Sequence, residues 1–172
     1  SHLRATLTLF VPTIATTIYT ALDKTMLNNI TGSMTENGYY EQANKISKMV
    51  LMLVTSLGTV MLPRIGRAFS ENKKDEVKAL LYKSFQFVWF IGLALCFGLI
   101  GIARNFSPWF FGQGYEKVPY LIMIMATLLP IIGLSNVIGI QYLVTTKRES
   151  LLTRSVCIGA AANFVMNMIL IH

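Results

Sequence analysis

The sequence predicts an all-α, polytopic transmembrane bundle, and three observations carry that expectation. Apolar residues make up 53% of the 172-residue chain and charged residues only 13%, with a mean hydropathy of +0.55. Soluble domains carry about 25% charged residues. Five apolar stretches are each long enough to cross a hydrocarbon core of ~30 Å, which takes about 20 helical residues. Most Lys and Arg fall between these stretches, so the net charge of +7 reads as membrane orientation and not as nucleic-acid affinity.

The spans are expected at roughly Leu3–Leu27, Ile46–Ile65, Ser84–Ala103, Pro119–Val144 and Leu151 to His172. Together they form one partial transporter domain over residues 1–172. The chain opens on Ser1-His2-Leu3 without a methionine and ends in an apolar run, which reads as an internal piece of a longer protein.

The first span is the most informative. At 100° per residue, Pro12, Thr16, Tyr19 and Asp23 share one face, and Thr13, Thr17, Thr20 and Lys24 adjoin it. Phe10, Val11, Ile14, Ile18, Ala21 and Leu22 lie opposite. The second span repeats the pattern with Glu41, Lys45, Lys48, Met52, Thr55, Ser56, Thr59 and Pro63 on one side, and Val50, Leu53, Leu57 and Val60 on the other. A charge at the centre of a lipid-embedded helix costs roughly 2.5–3.5 kcal/mol on insertion scales, so such residues face protein or an aqueous cavity. Antiparallel packing of the two spans sets Asp23 and Lys24 level with Glu41, Lys45 and Lys48, three Lys against two acids at the outer part of a polar cleft. The plainer alternative is that the lysines snorkel to headgroups, Asp23 pairs with Lys24 or Lys45, and the threonines bond to their own helices.

After the second span comes a basic loop, Arg64–Lys83, with six Lys and Arg. Asn72 and Asp75 are spaced as a helix cap and its acid, with Val77, Leu80 and Leu81 following at helical spacing, so a short surface helix is expected there. The third span is almost wholly apolar, with Gly92, Gly98 and Gly101 along it; Trp89 at one end and Trp109, Phe110 and Phe111 past the other suit aromatic belts. In the fourth, Pro130, Gly133, Asn136 and Gly139 predict a bend and a close helix contact. In the fifth, Asn163 and Asn167 share a face and suit polar bonding between helices.

Ten Lys and Arg lie in the segments at the start, at Arg64–Lys83 and at Thr145–Arg154, against two, Arg104 and Lys117, on the opposite side. The positive-inside rule then puts the N-terminus in the cytoplasm. Cys96 and Cys157 each lie in an apolar span and are expected as small buried side chains, unpaired. No CxxC or Cys/His cluster occurs and His2 and His172 sit at the two ends, so neither a metal nor a cofactor is expected. No nucleophile–base pair, phosphate loop or paired catalytic carboxylates is present, which argues against an enzyme. Asn105-Phe106-Ser107 matches a glycosylation sequon.

The runs Leu9-Phe10-Val11-Pro12, Tyr19-Thr20-Ala21-Leu22-Asp23-Lys24-Thr25-Met26-Leu27, Gly38-Tyr39-Tyr40-Glu41-Gln42-Ala43-Asn44-Lys45-Ile46 and Leu62-Pro63-Arg64-Ile65 resemble one region of the Wzx-type oligosaccharide flippases. These belong with the multidrug and toxic-compound extruders and the lipid II flippases. The resemblance implies a bacterial inner-membrane transporter of about 12–14 helices in two bundles, with this chain at the start of the second. It implies an undecaprenyl-pyrophosphate-linked oligosaccharide as cargo, moved to the outer leaflet for surface polysaccharide synthesis. Membrane lipids surround it, and polymerase and glycosyltransferases are its expected partners. It further implies that Lys24, Lys45 and Lys48 meet the pyrophosphate. Hydroxyls of Thr16, Thr20, Thr55 and Tyr19 suit the sugars, with Asp23 in the same cluster. A drug or cation antiporter of the extruder branch, built on Asp23, and a non-transport polytopic scaffold are the competing functions.

Overall fold

A computed structural model of the chain describes Ile14, Thr17 and residues 34–170. Among the described residues the regular structure is all helical: α1 (Met34–Ser70), α2 (Lys74–Phe111), α3 (Val118–Ala126), α4 (Leu128–Asn136), a π-helical segment (Val137–Val144) and α5 (Glu149–Leu170). By length and composition α1 and α2 can each cross a membrane, and α3 with α4 and the π segment is long and apolar enough for a third if the bent pair is taken as one span. The all-α polytopic class is therefore the one adopted. The expected first span lies outside the described residues, apart from Ile14 and Thr17.

The chain divides into two compact units, one over Gly38–Thr146 and the other drawing on both chain ends. In the first unit the three spans run up, down and up. Ala43 of α1 packs with Cys96, Leu99 and Ala103 of α2 and with Val118, Ile122, Ala126 and Leu129. Val54, Val88 and Val137 meet at mid-height. Ile65, Ala68 and Val77 close the far end. Each helix contributes a stripe at helical spacing, and on α1 it consists of Ala43, Ser47, Val54, Gly58, Ile65 and Ala68. Small residues predominate because lipid supplies no hydrophobic drive between helices, so close backbone approach and dispersion hold them. Gly133 shows how close: a Cβ there would stand 2.6 Å from Val54 Cγ1 and 2.8 Å from Val88 Cγ1.

The break in the third span falls between α3 and α4, with a 40° bend. Pro130 explains its place. A proline lacks the N–H that would bond to the carbonyl four residues earlier, here Ala126, so the helix opens one turn before the ring. At the break Thr127 turns its N–H back to the Ile124 carbonyl at 3.2 Å and its hydroxyl to the same oxygen at 2.6 Å. Pro130 itself sits against Gly92, where a Cβ would come within 3.0 Å of its Cα. At the end of the π segment, Thr145 and Thr146 hydroxyls bond to the carbonyls of Gln141 and Tyr142.

Arg64–Lys83 is not a loop carrying a separate surface helix. α1 runs on to Ser70 and α2 starts at Lys74, leaving only Glu71, Asn72 and Lys73 between them. Asn72 does not cap α2. It takes φ 57° as the left-handed residue that ends α1, its N–H bonding to the Phe69 carbonyl at 3.1 Å while the Lys73 N–H reaches the Ala68 carbonyl at 3.0 Å. That is a Schellman closure, for which asparagine is the usual substitute for glycine. The residue at the α2 N-cap is Lys73, without a side-chain cap bond.

In the other unit α5 is the one long described helix, its Thr153 hydroxyl bonded to the Glu149 carbonyl at 3.0 Å. Cys96 is buried as expected, but Cys157 is exposed on α5, and both are free thiols. Its apolar neighbours in sequence lie around the helix and not over it. The pairing of Asn163 with Asn167 involves a side chain outside the described residues. The sequon lies within α2, where its acceptor Asn105 is exposed but Ser107, the residue that completes the sequon, is fully buried.

Candidate functional site

The charged and hydroxyl-bearing side of α1 is the candidate surface. Glu41, Lys45, Lys48, Met52, Thr55, Ser56, Thr59 and Pro63 centre roughly 145° around the helix from the Ala43–Ala68 packing stripe, at 100° per residue. Lys45 and Lys48 are exposed, and neither makes a hydrogen bond or ion pair among the described residues. Glu41 is half-buried and engaged in an interaction of its own. Beside this polar stripe lies an exposed apolar one, with Met49 64%, Leu53 58% and Val60 50% exposed. Thus α1 has three sides: one packed, one apolar and open, one polar and open.

The hydroxyls on the polar side are committed to their own helix. Thr55 donates to the Leu51 carbonyl at 3.1 Å and to that of Met52 at 3.4 Å. Ser56 donates to Leu53 at 2.8 Å and Thr59 to Ser56 at 2.7 Å. Such bonds keep polar groups satisfied away from water. Each uses the hydroxyl proton and leaves oxygen lone pairs directed outward, so the stripe offers acceptors and ammonium donors.

Of the expected site residues, Lys45, Lys48 and Thr55 are brought onto one open face. Asp23, Lys24, Tyr19, Thr16 and Thr20 lie outside the described residues, as does the cleft they were expected to share with α1. Gln141 was missed. It is 1% exposed, its Oε1 has no hydrogen-bond partner among the described residues, and its amide nitrogen comes within 3.3 Å of where a Cβ on Gly58 would lie. Asn136 Oδ1 approaches the same point at 3.1 Å. The one signal in the sequence was a lone amide within an apolar run.

A sequence model of the polysaccharide biosynthesis protein family matches residues 2–119, which include the whole of this polar stripe. The chain belongs to that family. Among the curated relatives of the chain is one from Escherichia coli named "Putative O-antigen transporter". It is 30% identical over 136 residues, 79% of this chain and 32% of the relative. Another, from Haloferax volcanii, is named "Probable low-salt glycan biosynthesis flippase" and is 19% identical over 134 residues, 78% of this chain and 28% of the relative. The chain therefore spans about a third of the length of the curated relatives it matches. The resemblance to the Wzx-type flippases holds at the level of the family. No solved structure matches the chain at a significant level.

Proposed function

We propose that the chain forms part of a flippase that moves an undecaprenyl-pyrophosphate-linked oligosaccharide across the bacterial inner membrane, and that it is not an enzyme. The observation that carries this reading is the open polar side of α1, with Lys45 and Lys48 on the same stripe as three hydroxyl acceptors. Ammonium groups can receive a pyrophosphate as mobile point charges. Hydroxyl oxygens can accept from passing sugar hydroxyls, while the adjacent apolar stripe tolerates a lipid tail. Lys24, Asp23, Tyr19, Thr16 and Thr20 are proposed to complete the path from the preceding helix. The N-terminus and the α1–α2 turn face the cytoplasm in this reading, and the chain supplies the start of the second bundle. Polymerase and glycosyltransferases would act on either side of the same step.

Replacing Lys45 and Lys48 together with glutamine in the full-length protein tests the reading. Surface polysaccharide should fall at least tenfold at matched membrane levels, and the arginine pair should retain more. Export equal to wild type in the glutamine pair would sink the cargo role of these lysines.

A further inference from the structure

The α1–α2 turn carries a second charged feature that the cargo reading does not use. Arg64, Arg67, Glu71, Lys73 and Glu76 surround a cavity of about 430 Å³ whose apolar floor is Ala68 and Leu80. The carboxylates within it are already engaged. Glu71 accepts from Arg67 Nε at 3.0 Å and from Lys73 Nζ at 2.7 Å, and Glu76 lies 3.9 Å from the same Nζ. Arg64 has no carboxylate or other polar partner among the described residues. The ion pairs hold a frame, and one guanidinium at its edge is left uncompensated among the described residues.

The depth of the cavity limits what would fill it. Arg64 stands at the end of the apolar stretch Ile46–Ile65, where hydrocarbon gives way to headgroups, and Arg67 is one turn further out. A ligand here would meet an apolar floor on one side and a guanidinium on the other. A guanidinium presents a planar fork of donors that matches two oxygens of a phosphate. The flanking Glu71 and Glu76 disfavour a highly charged anion and leave a singly charged phosphodiester as the better match. Basic pockets beside spanning helices take anionic headgroups for these reasons.

We infer that the α1–α2 turn is a binding pocket for a phosphate group, with Arg64 as its main ligand and a phosphodiester lipid headgroup as the best-matched occupant. The pocket lies wholly within the Gly38–Thr146 unit and does not depend on what the α1 polar stripe carries.

The test uses the full-length protein in nanodiscs of phosphatidylcholine doped with phosphatidylglycerol, with retained phosphatidylglycerol counted by native mass spectrometry. Arg64→Gln should lower retention about tenfold, the scale of one charge-assisted hydrogen bond. Lys78→Gln, which removes a charge near the turn but outside the cavity, should leave it unchanged. Leu80→Trp keeps every charge and fills the cavity, so it should lower retention as well, even if Arg64→Gln proves hard to express. Adding inorganic phosphate to the wild type separates the sources: displacement of the lipid indicates a pocket open to free phosphate, and no displacement one committed to lipid. Equal retention in wild type and Leu80→Trp, or equal loss in Arg64→Gln and Lys78→Gln, would overturn the pocket.

Discussion

Gly133 and Gly98 occupy similar places in a helix and answer to different constraints. A Cβ on Gly133 meets methyls of Val54 and Val88 well inside van der Waals distance, whereas one on Gly98 meets nothing within 4 Å. Gly133→Ala must push apart α1, α2 and α4 where they meet, and should cost about 1–3 kcal/mol as other overpacked cores do. Gly98→Ala gains the helical preference of alanine, roughly 0.5–1 kcal/mol. Thermal unfolding in detergent should therefore lower the midpoint for the first and hold or raise it for the second. Matching shifts would show that the three helices are not in the contact described. Sequence alone presents both residues as small gaps in apolar runs, since what distinguishes them is a neighbour from another span.

At the scale of elements, the turn between α1 and α2 is held by charge as well as by its Schellman closure. Lys73, with Arg67 beside it, holds the Glu71 carboxyl below the usual carboxylate range, and Glu71 in turn raises Lys73. A carboxyl depressed in the folded state contributes stability that is complete above its unfolded value of about 4.3. That contribution is lost as pH falls through the lower folded value. Hydrogen exchange across residues 71–76 should therefore show more frequent opening as pH drops toward 3, after correction for intrinsic rates. Glu71→Gln should open more readily at neutral pH and lose most of that dependence. An unchanged profile in the variant would mean that the ion pairs are incidental. The pairs are exposed, so the effect is local and screened by salt.

For the whole molecule, the long apolar helices α1 and α2 were legible because a run of about 20 apolar residues has few other uses, while the first of the five expected spans lies outside the described residues. The side on which each helix packs was not. In lipid, Leu53 and Val60 are as well placed outside as inside, so hydrophobicity does not mark the core, and the packing stripe was carried by Ala43, Ser47 and Gly58. Asn72 was misread because asparagine suits both the start of a helix and the left-handed residue that ends one. The open lysine stripe was legible from spacing alone, whereas the turn cavity needed the two long helices to be brought together. In the proposed orientation, argued from the ten-to-two distribution of Lys and Arg, the turn and the N-terminus of α1 lie on opposite sides. A reporter inserted within Glu71–Asp75 should behave as cytoplasmic and one at Thr35 as exported. The reverse pair would overturn the orientation.

Thr55, Ser56 and Thr59 have one further consequence if α1 does line the route of a glycan. Side chains that have already given their protons to their own backbone do not rotate to suit one epimer over another. Such a wall registers that hydroxyls are present but not how they are arranged around a ring. In that case the sugar sequence of the glycan can change while this helix stays as it is. Discrimination between glycans would fall to whatever reads the saccharide before it reaches the membrane interior.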